Sequence, residues 1–438
     1  MKKLAINGGK KVRTELFPEY NTIGQEEQSA VEEVLRAGKL SRFLGVWHED
    51  FYGGEEIKKL ESEWAQYFNV KHAIAVNSAT SGLYCAVGAS GVGPGDEVIV
   101  SPYTMTASAT APLIYNAIPV FADIEEDYFC LDPNSIEDRI TERTKAIIVV
   151  DIFGQPYDAD KINDIAKKYN LIVIEDAAQA PGAKYKGKYA GTLGDIGVFS
   201  LNYHKHIHCG EGSLIVTDND ELADKIRLIR NHAEAVIEAK GYNSLVNMIG
   251  FNFRMTEMEA TVAREQLKKL DRLLEKRIEN VKYLCSKISK IPCLEIGKVR
   301  ENCEHAFYDL PIKFNEEIAG ISRSKFVDAV AAELMPFKLR EGEGVGIGAG
   351  YVKPLYLQPM YQNLIGYGDN GCPFKCSLYK GTLNYEKGVC PVCEKMHYEE
   401  LFSMEFMLPS MTHKDMDDVI EAFNKVWENR EELRNNEQ

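Results

Sequence analysis

The chain is predicted to be an α/β protein built on a mainly parallel sheet, and two features point there. Short apolar runs rich in β-branched residues recur through the first 270 residues, separated by amphipathic helical stretches. A strand that is apolar at every position needs cover on both faces, and helices that cross over between parallel strands supply that cover. The chain also has 438 residues, 45% of them hydrophobic and 27% charged, enough for two or three domains sharing a sizeable core.

The elements follow in order. QEEQSAVEEVLRA (25–37) sets Ala30, Val31, Val34 and Leu35 at helical spacing and stops before Gly38. AIAVN (73–77) is the first strand, and SATSGLYCAVGASGVGPGDEV leads from it through a helix and a Gly/Pro turn to EVIVS (97–101). The pattern repeats with PVFADI (119–124), a helical stretch, AIIVVDIFG (146–154), the helix DADKINDIAKKYN (158–170) and LIVIED (171–176). Residues 1–270 therefore read as one large α/β domain with an N-terminal arm. From 255 to 288 the pattern becomes a long helix charged on one face, a bridge to a smaller α/β domain at 271–438. That domain would take in HAFYDLPIKF (305–314), a helix from Ser324 to Leu334, the loop-rich segment 340–395 and a final helix from Lys414 to about Arg434.

A formal net charge of −15 argues against a nucleic-acid partner, because such binding draws on clustered lysine and arginine. The basic residues of MKKLAINGGKKVRTELFPEY have no apolar run behind them, and no uncharged run approaches the length of a membrane span. A cytoplasmic protein with no membrane partner is expected. Ten scattered cysteines fit reduced thiols better than a disulfide framework.

Ligands of such sheets sit beyond the carboxyl ends of the strands, so the polar residues there carry the information. AIAVN runs into Ser78-Ala79-Thr80-Ser81 at a helix start, where free N–H groups and hydroxyls could cradle a phosphate or simply cap the helix. LIVIED ends in Asp176 beside Ala177 and Ala178, where a carboxylate could keep the ring nitrogen of a flat heteroaromatic cofactor protonated. FSLNYHKHIHCGEGS (199–213) allows two readings. Alternation would put His204, His206 and His208 on one face of a strand as metal ligands. Alternatively Lys205, in a polar loop before Gly-Glu-Gly, could hold an aldehyde cofactor as a Schiff base, with Ser200 five residues before it.

The stretch IEDAAQAPGAKYKGKYAGTLGDIGVFSLNYHKHIHCGEGS resembles the corresponding segment of the DegT/DnrJ/EryC1/StrS sugar aminotransferases, with their EDAA(H/Q) acid and a lysine before GEGG. AINGGKKVRT, GVGPGDEVIVSPYT, IGFNFRMTEMEA and VCEKMHYEELFSMEFMLPS extend the likeness over nearly the whole chain, and their joint order is what is specific. The resemblance implies a fold-type I, pyridoxal-phosphate-dependent transferase of the aspartate aminotransferase kind. It makes Lys205 the Schiff-base lysine and Asp176 the partner of the pyridine nitrogen. It puts Gln179 at the cofactor's 3-hydroxyl side and Ala79, Thr80 and Ser200 at its phosphate. Asn252 matches an asparagine that reaches the phosphate from the neighbouring subunit, which implies a homodimer with shared active sites. Met105 aligns with a position where the family usually stacks an aromatic ring on the cofactor, with Tyr103 two residues earlier; Ser213 replaces the second glycine of GEGG. With the lysine assigned, the three histidines become pocket lining and no metal is expected.

The implied activity is transfer of an amino group from glutamate or glutamine to a keto or aldehyde carbon of a sugar or cyclitol. The alternatives are a pyridoxal-phosphate-dependent dehydratase or epimerase, disfavoured because the family's 3-dehydratases carry histidine in place of Lys205, and a non-catalytic cofactor-binding regulator. Within the insert 371–395, Cys372, Cys376, Cys390 and Cys393 approximate a four-thiolate zinc site in spacing. The preferred reading is a reduced, loop-rich insert closing over the active site, similar to that of cyclitol-type members.

Overall fold

A computed structural model describes residues 3–436; the first two and last two residues of the expected domain ranges lie outside it. Among the described residues fourteen strands form three sheets: β1 (His72–Val76), β2 (Glu97–Val100), β3 (Ile118–Phe121), β4 (Thr144–Val150), β5 (Ile172–Asp176), β6 (Lys184–Tyr185), β7 (Lys188–Tyr189), β8 (Ile196–Ser200), β9 (Ser213–Thr217), β10 (Leu294–Ile296), β11 (Cys303–Glu304), β12 (Leu310–Phe314), β13 (Ile347–Ala349) and β14 (Leu401–Met404). The main sheet runs β1-β9-β8-β5-β4-β2-β3. Strands β8, β5, β4, β2 and β3 are parallel, and β9 lies antiparallel between β8 and β1.

Both faces of this sheet are buried, as the apolar runs require. In β1, Ile74 and Val76 enter one core while Ala73 and Ala75 enter another; in β9, Ile215 faces the first, and Leu214 and Val216 the second. The helix Ala79–Ala89 covers one face, and Glu55–Phe68 with its buried Ile57, Leu60, Trp64 and Phe68 covers the other.

A third core surrounds the antiparallel sheet β10-β12-β14-β13 with the helices Arg323–Glu333 and His413–Glu428. The N-terminal segment joins it: Leu4 and Phe17 are buried there, and the Phe17 N–H donates to the Pro336 carbonyl at 3.0 Å. Among the described residues no helix is long and apolar enough to cross a membrane.

Three expectations are corrected. The long helix over 255–288 is two, Glu257–Leu267 and Leu270–Ile288. At the break, Lys269 reaches the buried Glu27 at 2.6 Å and Leu270 drops into the core. The final helix ends at Glu428 and continues as a 3₁₀ segment, Arg430–Asn436. The cysteine-rich insert packs against the β3 edge of the main sheet: Tyr379 Oη donates to Glu97 at 2.8 Å and Tyr385 Oη to the Pro119 carbonyl at 2.8 Å. The Val392 and Cys393 N–H groups both donate to Asp123. Strands β2, β4 and β5 separate that edge from the strand that leads to Lys205, so within its own chain the insert packs away from that strand.

Candidate active site

The carboxyl ends of the parallel strands bring the expected residues together. Ser78 follows β1 and caps the helix Ala79–Ala89, its Oγ accepting from the Ser81 N–H at 3.1 Å. Ser78 and Ser81 hydroxyls are 2.9 Å apart, and Ser81 donates on to Asn77 at 2.7 Å. Both serines are thus committed to the cap, which leaves the Ala79 and Thr80 N–H groups unused inside the helix. Ser200, the last residue of β8, is buried, and its Oγ accepts from the Asn202 N–H at 3.3 Å.

Asp176 ends β5. It is buried; one carboxylate oxygen accepts from Ser108 Oγ at 2.7 Å and the other from the Ala178 N–H at 3.2 Å. Burial raises its pKa above the usual carboxylate value, while Ser108, the Ala178 N–H and Lys205 pull it back down. Lys205 lies in the loop after β8, its Nζ 4.1 Å from the centre of the Tyr308 ring. Burial draws this amine down to about 8, against the opposing pull of Asp176 and Glu405. The pairing of acid and amine is therefore a long-range attraction rather than a direct contact.

Gln179 is fixed at both ends: its Oε1 accepts from the Phe153 N–H at 2.7 Å, and its Nε2 donates to Tyr351 Oη at 2.8 Å. Met105 stands 61% exposed at the start of the helix Thr106–Ile114, one turn before Ser108. Tyr103 cannot take its place, because it is fully buried in edge contact with Tyr351 and His397. Asn252 is exposed, its Oδ1 accepting from Arg254 Nε at 2.6 Å; among its described contacts none is to another candidate residue.

The histidine strand does not form. Residues 201–212 are loop, and the three rings go to different places. His204 Nε2 meets Glu343 at 3.1 Å, His206 is buried with Nε2 at 2.9 Å from the Ala306 carbonyl, and His208 is partly buried with its pKa lowered by burial. Among the described residues no three His, Cys, Asp or Glu side chains are placed to hold a metal; Cys372 and Cys376 neighbour each other, while Cys390 and Cys393 lie buried near Asp123.

Several site residues carry no motif. Ser108, Tyr308 and Tyr351 arrive from three separate segments. Behind Asp176, Glu175 accepts from the Gly191, Leu193 and Gly194 N–H groups, and the buried Asp151 faces it. One Asp151 oxygen finds no donor among the described residues, and burial first, with the Glu175 charge beside it, pushes this carboxyl well up. A cavity of about 200 Å³, lined by Asp309, Arg340, Glu343, Ser403 and Glu405 among others, adjoins this region. Burial first, and then Glu405, push Asp309 up to about 7.

Residues 21–399 match the DegT/DnrJ/EryC1/StrS aminotransferase family. The chain is 33% identical over 410 residues to the spore coat polysaccharide biosynthesis protein SpsC of Bacillus subtilis, covering 92% of this chain and 95% of that one. It is 37% identical over 313 residues to the GDP-perosamine synthase of Caulobacter vibrioides, covering 71% and 80% respectively. The crystal structure of an aminotransferase from Psychrobacter cryohalolentis superposes with a TM-score of 0.79 at 28% identity, over 94% of this chain and 99% of that one.

Proposed function

The chain belongs to the DegT/DnrJ/EryC1/StrS aminotransferase family, and on that premise we propose that it moves an amino group from glutamate or glutamine to a keto or aldehyde carbon of a sugar or cyclitol, with Lys205 at the reacting centre. The protein is a pyridoxal-phosphate-dependent aminotransferase. The names of two relatives, a perosamine synthase and a polysaccharide biosynthesis protein, support a carbohydrate acceptor.

The observation that carries the residue roles is the pair at the sheet's carboxyl edge: a lysine amine drawn down to about 8 and a buried, oriented carboxylate that acts on it. Pyridoxal phosphate asks a protein for an amine at its aldehyde, an acid at its ring nitrogen and an anion cradle, and the residues present fit it. Asp176 would meet the ring nitrogen, aimed by Ser108 and the Ala178 N–H. Ala79, Thr80 and Ser200 would hold the phosphate, Gln179 the 3-hydroxyl side, and the Met105 side chain one ring face. When bound, the cofactor supplies an electron-withdrawing ring that stabilises negative charge on the substrate carbon. Lys205 would take the proton from that carbon and return one to the carbon beyond the bridging nitrogen, a 1,3 shift that an amine drawn down to about 8 serves more readily than one at 10.5.

The homodimer belongs to the same proposal, with Asn252 reaching the partner's phosphate site. Leu245, Val246 and Ile249 on the segment before Asn252, and Leu44, Val46 and Trp47 on the loop whose Leu44 carbonyl accepts from Asn231, the bridge partner of Asn252, are exposed apolar residues that support a covered face there. Separate cores around the seven-stranded and four-stranded sheets support two domains near 1–270 and 271–438, with the N-terminal arm crossing to the second and residues of 355–401, the insert among them, packing back against the first. None of the ten cysteines is in a disulfide, which supports a cytoplasmic location.

The test is a half-reaction followed by a substrate panel. Adding glutamate or glutamine to the cofactor-loaded protein should change its visible absorbance, and keto-sugars and inososes should then yield a product one amine heavier by mass spectrometry. A protein that binds the cofactor and responds to neither donor is not an aminotransferase of this kind.

A further inference from the structure

Gln179 carries an amide whose orientation the backbone decides. The Phe153 N–H can only donate, and it lies 2.7 Å from one end of that amide, which is therefore Oε1. Nε2 is the other end, and it gives one hydrogen to Tyr351 Oη at 2.8 Å. An amide nitrogen has two hydrogens, and the second meets no acceptor among the described residues.

Both anchors of Gln179 are held by unusual backbone. Phe153 has φ +59°, a left-handed conformation that a residue with a side chain adopts only at a cost. That turn sends its N–H to Gln179 and its carbonyl to the Tyr308 N–H at 2.8 Å, so one strained residue serves both the expected cofactor ligand and the ring over Lys205. Tyr351 arrives from the other sheet: it follows β13 of the four-stranded sheet, whereas Gln179 follows β5 of the seven-stranded one. Gly350 before it has φ +73°, and a Cβ there would come within 2.9 Å of the His397 carbonyl oxygen. The Tyr351 ring is then set edge-on against Phe153 at 5.1 Å and Tyr103 at 5.9 Å. Burial first, and then the charges of Asp309, Asp176 and Glu405, hold its hydroxyl well above the ordinary phenol value, so it stays neutral.

We propose, on the aminotransferase reading above, that Tyr351 is a positioning residue: its hydroxyl oxygen takes one Gln179 hydrogen and so holds the other toward the cofactor's 3-oxygen. Loss of the proton from the nitrogen that joins Lys205 to the cofactor leaves the negative charge of that oxygen unshared. A fixed N–H donor stabilises the charge and makes the proton easier to lose. Tyr351 itself touches neither cofactor nor substrate and acts through Gln179.

The test is a pH titration of the visible absorbance of the cofactor-loaded protein. Tyr351→Phe keeps the ring and removes only the oxygen, so the midpoint should move up by about half a unit to one unit, the effect of loosening a hydrogen bond to a charged group. Gln179→Leu deletes the donor and should move the midpoint up at least as far. The two shifts should not add: Tyr351→Phe in the Gln179→Leu background should leave the midpoint where Gln179→Leu put it. An unchanged or lowered midpoint in Tyr351→Phe overturns the proposal, even if stability falls, because the hydroxyl then only holds the fold. Additive shifts overturn it too, since Tyr351 would then meet the ligand directly. Should the Gln179 variants fail to load cofactor, the sign of the Tyr351→Phe shift decides alone. Borohydride labelling in the same samples separates the layers: with Lys205 labelled, a negative titration sinks this inference only, whereas an unlabelled Lys205 sinks the aminotransferase reading with it.

Discussion

Lys205 sits near two carboxylates, Asp176 and Glu405, and its pKa still falls to about 8, so desolvation outweighs attraction at this position. The consequence for stability has a definite sign. Below pH 8 the amine is charged in the folded and the unfolded chain, and the folded state carries the whole cost of enclosing it. Between 8 and the ordinary value of 10.5 the unfolded chain binds more protons, so this group's contribution to stability rises with pH; above 10.5 the amine is neutral in both states and the cost is gone. The span corresponds to about 3 kcal/mol at most. In the cofactor-free protein, Lys205→Met should therefore be more stable than native at pH 7, and that gap should shrink by pH 10, as measured by urea unfolding at both values. A gap of equal size at the two pH values would show that the amine is not enclosed. Lys205 and Asp176 were legible because each lies in a contiguous run, LNYHKHIHCGEGS and LIVIEDAAQA, whose order is informative. Ser108 and Tyr308 were not, because only the folded chain brings residue 108 to Asp176 and residue 308 to Lys205.

Strands β1 to β5 were readable from their apolar runs because burial on both faces keeps most of their positions apolar. The break at 268–269 was not readable: no glycine or proline marks it, and the turn accompanies contacts made by Lys269 and Gln266 to Glu27 and Thr22, far away in sequence. The insert misled for a similar reason. Its cysteine spacing drew attention, whereas its position is set by Tyr356, Tyr361 and Tyr385 around Phe121 of β3. Tyr385→Phe removes a buried hydroxyl and leaves the Pro119 carbonyl short of a donor, and should cost about 1 to 3 kcal/mol. Because β3 is the far edge of the sheet from β8, turnover per folded molecule should be unchanged. A loss of turnover without a loss of stability would mean that the insert does cover the site.

The whole molecule is read as half of a functional unit, on the strength of Asn252 and the exposed apolar residues around it. Lys205→Ala and Asn252→Ala chains, each inactive alone, should regain activity when mixed under conditions that exchange subunits. A mixed dimer would hold one site with both lesions and one with neither, giving about half of native activity per mixed dimer. No recovery despite verified exchange would mean that Asn252 serves its own chain. The wider account, which places one amine at the carboxyl edge of the sheet at the centre of the chemistry, is tested most directly by reducing the cofactor-loaded protein with borohydride and mapping the adduct by peptide mass spectrometry. The account predicts a pyridoxyl group on the Lys205 peptide and on no other lysine of the chain; an adduct elsewhere, or none in a protein that retains the cofactor, would contradict it.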